Sequence, residues 1–261
     1  MARWQDVVEQ LESMAPPALA GGWDNVGLLL EGTRAVRRAL LCVDLTPPVV
    51  DEALAMDADL VIAYHPPIFS GLKRLTSSTP QGRSLLALIR AGVTVHSPHT
   101  ALDAAAGGMN DWLLEAFGTL VEVAPLEPDR VEPAVGAGRR ATLLSPRPLA
   151  ELIPAIKAHL GLDAVRVATP SDAHVVETVA VCPGAGGSLF DKAPGHGLYL
   201  TGELRHHDVL ALVAAGSAVV LTDHTNTERG YLPRLAARLT ERVPSVRFEL
   251  SAIDADPLRI R

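Results

Sequence analysis

Apolar residues open the chain at three- and four-residue spacing: Trp4, Val7, Val8 and Leu11 share one helical face, which predicts a helix running into Ala15-Pro-Pro. A loop from Gly21 to Gly27 follows. The pattern then changes. Residues 39–44, 60–64 and 93–96 are short apolar runs, and the segments 47–56 and 81–91 between them return to helical spacing. Strand, helix, strand in repetition predicts a parallel sheet, because parallel neighbours need a crossover and are covered on both faces. Ligands of such sheets collect beyond the carboxyl ends of the strands. Here those ends read Asp44-Leu-Thr, His65-Pro-Pro and His96-Ser-Pro-His.

Between Glu122 and Gly138 the periodicity fades into Pro, Glu and Gly, which marks the crossing from a first half into a second. Leu149, Leu152, Ile153, Ile156 and Leu160 keep helical spacing, and Pro154 among them predicts a kink or the true first turn. Strand-like segments at 165–168 and 178–182 come next, then a Pro-Gly-Ala-Gly-Gly turn and a strand near Leu198. Residues 208–215 read as helix and 218–221 as strand. Leu232, Leu235, Ala236 and Leu239 form one face of a last long helix. The expected class is α/β in two halves, 1–124 and 125–217, with 218–261 packing back on the first. The two halves share no sequence repeat.

Composition narrows this further. The 261 residues are 48% hydrophobic, enough to bury a sizeable core as one large or two smaller domains. Aromatics are only 4%, which suits helices packed on buried strands. The net charge of -7 and the lack of any long basic run argue against direct nucleic-acid binding. No segment has the ~20 apolar residues of a membrane span, and the opening residues mix acids among apolar positions, so a cytoplasmic location is expected. Cys42 and Cys182 each sit in an apolar run, as buried thiols rather than a disulfide.

The histidines carry the chemical signal. Six of the nine, His65, His96, His99, His206, His207 and His224, stand at predicted strand ends or helix starts. Imidazoles with a carboxylate suit zinc, iron, manganese or nickel, and Asp103 and Glu228 can supply carboxylates. In HTNTE, His224 and Glu228 are four apart, so one helical turn would aim both at one point. Thr225 to Glu228 equally fits a capping box, and local pattern does not choose between them. His65 leaves its strand just before Pro66-Pro67, which forces an extended path and exposes the ring, although a hydrogen-bonded strand-end histidine fits as well. Asp103 fits a ligand or a helix cap, and His96 and His99 fit residues that orient a ligand. CPGAGGS lacks the Lys-Ser/Thr of a phosphate loop and reads as a tight turn. Arg37-Arg38 and the arginines of the final helix read as solvated faces.

Taken together, GWDNVGLLLEG, AYHPPIF, SPHTALDAAAGGMNDWL, TGELRHHD and DHTNTERGYL resemble, in order and over nearly the whole chain, the dinuclear metal-centre hexameric family, also called NIF-three-like or GTP cyclohydrolase type 2 homologues. The resemblance implies two similar α/β domains with mixed sheets flanked by helices, and a toroidal homohexamer whose metal sites face an internal cavity. It implies one or two divalent metals per subunit, and carries ligand roles onto His65, Asp103, His224 and Glu228. His99 and His207 lie in matching blocks as site-lining residues, candidates for proton transfer. Many members have a second histidine directly before the position of His65; here Tyr64 stands there, as in the branch that includes the eukaryotic proteins.

Two functions follow. One is a metal-dependent hydrolase acting on a small molecule such as a nucleotide; with GTP, water would attack C8 of the purine and formate would leave. The other is a non-catalytic metal-binding regulatory or interaction protein that forms a ring.

Overall fold

The computed structural model describes residues 1–259. By contacts the described residues form two units, one from Met1–Leu102 with Tyr231–Ala255, the other from Asp103–Gly230 with 256–259.

The first unit holds a five-stranded sheet in the order Gly27–Leu30, Thr94–Ser97, Leu60–Ala63, Arg38–Cys42, Arg247–Leu250. The last four run parallel, and Gly27–Leu30 is antiparallel to its neighbour. The three apolar runs of the sequence are therefore the sheet's centre, and the helices Pro47–Ala55 and Pro80–Ala91 are their crossovers. Each boundary has a local cause. Pro47 sits at a first-turn position where its missing N–H leaves no bond unmade. The Thr79 hydroxyl accepts from the Gly82 amide at 3.0 Å, and Gly92, at φ 68°, ends the second helix in the left-handed region. The core lies where Leu40, Cys42, Val61, Ala63 and Val95 meet Val49, Val50, Ala53 and Leu88 of those helices. Asp59, fully buried, pairs with Arg34 at 2.8 Å and accepts the Arg37 and Arg38 amides at 2.9 and 3.3 Å. The Arg37 side chain is exposed as expected, but Arg38 is half-buried against Glu249 at 3.2 Å.

The second unit holds a six-stranded sheet in the order Leu120–Ala124, Arg139–Pro148, Val175–Ala185, Leu198–Glu203, Ala218–Leu221, Arg166–Ala168. The three strands Val175–Ala185, Leu198–Glu203 and Ala218–Leu221 are parallel and the outer pairings antiparallel, so the sheet is mixed. Ala218–Leu221 extends this sheet rather than packing back on the first unit, because its all-buried run continues the parallel centre. The crossing from the first unit falls at 102/103, inside the helix His99–Ala104, rather than near 124. Leu149–Leu160 is one helix with Pro154 as its sixth residue, so Pro154 marks no first turn. Its apolar stripe of Leu149, Leu152, Ile156 and Leu160 is buried and outweighs the one backbone bond that proline forfeits. Among the described residues no helix is long and apolar enough to cross a membrane.

Candidate metal centre

His65 follows the strand Leu60–Ala63, and the amides of Tyr64 and His65 still pair with the carbonyls of Cys42 and Val43 at 2.9 and 3.0 Å. The ring is thus carried on a fixed strand end. Its Nδ1 lies 2.9 Å from Asp44 Oδ1. With the Nδ1 proton donated to Asp44, Nε2 carries the lone pair that a metal uses, the carboxylate–histidine arrangement that orients metal-binding imidazoles. Asp44 is itself held, since Asp254 accepts from the Val43 amide at 2.6 Å and the Asp44 amide at 3.4 Å. The His99 ring stands edge-on to His65 at 5.3 Å, and the buried Tyr64 packs against both. His99 Nδ1 lies 2.8 Å from both oxygens of Asp24, which also accepts from the Thr100 amide and hydroxyl. Burial pushes the Asp24 carboxyl up, but the hydrogen bonds from His99 and Thr100 outweigh it and hold it below the usual carboxylate range.

In the second unit the strand Ala218–Leu221 leads into Asp223, at φ 66°, and then into a 3-10 turn, His224–Thr227. This is tighter than the helical turn expected, yet the side chains converge: His224 Nε2 lies 3.5 Å from Glu228 Oε1. The Thr225 hydroxyl donates to Asp256 at 2.6 Å and accepts from Arg229 Nε at 3.0 Å. A capping box is therefore not what arranges the pair. His224 Nδ1 faces Glu203 at 3.5 Å, and Glu228 is only 2% exposed. Thr227 ties the turn down, donating to the His224 carbonyl at 2.7 Å and accepting from the Gly184 amide at 2.8 Å.

Gly184 explains the CPGAGGS segment, which is not a tight turn. The strand continues to Ala185, with a register shift after Cys182. Gly184 sits there at φ 61°, and a Cβ on it would lie 2.8 Å from His224 Nε2 and 3.0 Å from Glu228 Oε1. The missing side chain leaves room beside the two donor atoms. Burial, with the Asp103 and Glu228 carboxylates nearby, pushes the Cys182 thiol far above its usual value and keeps it protonated.

Asp103 lies in the helix His99–Ala104, half-buried, with its carbonyl accepting from Asn110 Nδ2 at 3.0 Å. The next two carbonyls, of Ala104 and Ala105, accept from Arg139 Nη2 at 3.1 and 3.3 Å. Arg139 is 2% exposed; it also meets Asp111 at 2.5 Å and the carbonyls of Gly136 and Gly138 at 2.7 and 2.8 Å.

His65, His224 and Glu228 each offer one donor atom, and these atoms lie within 4.8 Å of one another. Two ligand atoms ~2.1 Å from one ion at a tetrahedral angle stand about 3.4 Å apart, which the 3.5 Å between His224 and Glu228 matches. Two imidazoles and a buried carboxylate fit a borderline divalent metal. Asp103 lies outside that trio and acts electrostatically on Cys182 beside Glu228. His207 is exposed on the first turn of the helix His206–Ala214, edge-on to His206 at 5.5 Å. Sequence reasoning overlooked Asp44, Asp24, Gly184 and Arg139. Asp44 stood at a strand end already marked as chemical, and Asp24 in the GWDN segment that carries part of the family resemblance.

A profile of the Duf34/NIF3 family (NGG1p interacting factor 3) matches residues 2–257. The NIF3 homolog of Schizosaccharomyces pombe is 42% identical over 95% of this chain and 94% of its own. The NIF3-like protein 1 of Drosophila melanogaster is 39% identical over 97% and 87%. Among solved structures, a Bacillus cereus protein related to NIF3 shares the fold with a TM-score of 0.88 at 21% identity, covering 98% of each chain.

Proposed function

This chain belongs to the Duf34/NIF3 family, and from that premise we propose that it is a metal-dependent hydrolase-like protein holding divalent metal at His65, His224 and Glu228, with Asp103 as a further carboxylate. The observation that carries this reading is the convergence of the three donors, two of them beside a glycine whose side chain would fill the space. When bound, a divalent ion supplies Lewis-acid polarisation and brings the ionisation of water toward neutral pH. Asp44 fixes the tautomer and direction of His65. Asp24 holds the proton on His99 Nδ1, leaving Nε2 to accept or release one, so proton transfer falls to His99, with His207 as a lining residue. Glu228, buried at its carboxylate, supplies the negative charge that an ion would neutralise.

The substrate class proposed is a nucleotide, with GTP the member that the family's label names, and the assembly proposed is a homohexameric ring. Elemental analysis of the purified protein beside Glu228→Gln, followed by a screen of nucleotides and phosphoesters, tests the reading. The expected result is near-stoichiometric metal in the wild type, at least about tenfold less in the variant, and turnover in the wild type alone. Equal metal in both would remove Glu228 from the centre, and metal without turnover would make the protein a non-catalytic binder.

A further inference from the structure

None of the proposed metal ligands lies in the GGWDN segment, which exposes a tryptophan. Trp23 is 67% exposed and Phe69 50%, with ring centroids 6.0 Å apart at 49°. The indole meets His99 edge-on at 6.1 Å, and His99 stands 5.3 Å from His65. A run of rings thus leads from solvent to a metal donor.

The two exposed rings are held by a frame. The Gly21 amide donates to Thr100 Oγ1 at 3.0 Å, and Asp24 binds Thr100 and His99. The Asn25 amide donates to Asp24 at 2.8 Å, and Asn25 Nδ2 donates to the carbonyl of Ile68, the residue before Phe69. Gly21 lies under the indole, where a Cβ would come within 2.9 Å of Nε1. Backbone on both sides of Trp23 is fixed, and so is the segment that presents Phe69. Apolar rings fixed in water are a cost that a ligand removes.

We propose that Trp23 and Phe69 form a stacking platform for a planar conjugated ring of the substrate, with the ring's substituents directed at His99 and His65. The chemistry at that end rests on the metal-centre reading above. Two partly exposed rings offer far less than the ~800 Å² per partner of a stable protein interface, but they match one flat heterocycle, whose faces stack and whose edges reach the imidazoles.

Of the three tryptophans, Trp112 is buried and Trp4 half-buried, so quenching by a ring compound reports on Trp23. The metal-loaded full chain is titrated with guanosine, adenosine and uridine, and with ribose as the unconjugated control. Saturable quenching by the nucleosides and none by ribose is expected. By calorimetry, Trp23→Ala and Phe69→Ala should each weaken nucleoside binding about tenfold, and Trp23→Phe no more than about threefold, with metal content and Tm retained. Wild-type affinity in both alanine variants would overturn the platform. So would metal without nucleoside binding, or an oligomer that Trp23→Ala dissociates while no nucleoside binds; the first of these leaves the metal centre standing. Nucleoside binding by a protein that holds no metal would remove the metal centre and leave the platform.

Discussion

Mild acid should destabilise this protein through one side chain. His96 lies on the strand Thr94–Ser97, is 1% exposed, and has no hydrogen-bond partner at either ring nitrogen. The nearest charge, Glu12, stands 3.6 Å from Nε2 and is itself 37% exposed, hence a weak partner. Burial pushes the imidazole down from 6.5 to about 4. An unfolded chain takes up a proton as pH falls through 6.5, whereas the folded chain does not until about 4. The neutral ring's contribution is therefore intact above 6.5 and is lost progressively as pH falls toward 4. A shift of that size corresponds to about 3 kcal/mol, with about 2 kcal/mol gone by about pH 5. Urea unfolding of the wild type and His96→Leu across this window isolates the effect, since the carboxylates titrate in both. The wild type should lose about 2 kcal/mol more than the variant between neutral pH and about pH 5. Parallel pH dependences would refute the reasoning, because they would mean that the folded protein solvates or pairs the imidazolium.

Two further outcomes are expected. Gly184→Ala places a Cβ against His224 and Glu228 at a left-handed backbone position; it should lower stability by about 1 kcal/mol and strip most of the metal, and unchanged metal content in elemental analysis would contradict the cradle. Arg139→Met strands Asp111 and four carbonyls that the guanidinium now serves, so chemical denaturation should show a loss of about 3 kcal/mol or more, and a loss below about 1 kcal/mol would rule out that role.

The parallel centre of each sheet was legible through its apolar runs: Leu60–Ala63 and Ala218–Leu221 are apolar and buried at every position. Strands with one face in water left no such trace. Leu120–Ala124 is mostly exposed, and Arg139–Pro148 carries Arg, Ser and Pro along its length, so neither stood out from loop. The break at 102/103 was hidden for a different reason: it falls within a helix, and helical periodicity does not register which sheet a residue packs on. At the site, residue types announced His65, His224 and Glu228. The pairings of Asp44, Asp24 and Arg139 were silent because they act across 21, 75 and 28 residues of sequence, distances over which spacing carries no information.

The Asp254 carboxylate that grips the Val43 and Asp44 amides sits 211 and 210 residues further along the chain. During synthesis the ribosome releases the segment bearing His65 long before it supplies the residue that steadies Asp44. The anchor of that histidine's orienting partner is thus supplied only when Asp254 emerges, and a nascent chain that stops short of it carries the imidazole and Asp44 without that grip. A protein truncated just before Asp254 would keep every proposed ligand in its sequence and lose the anchor that points one of them.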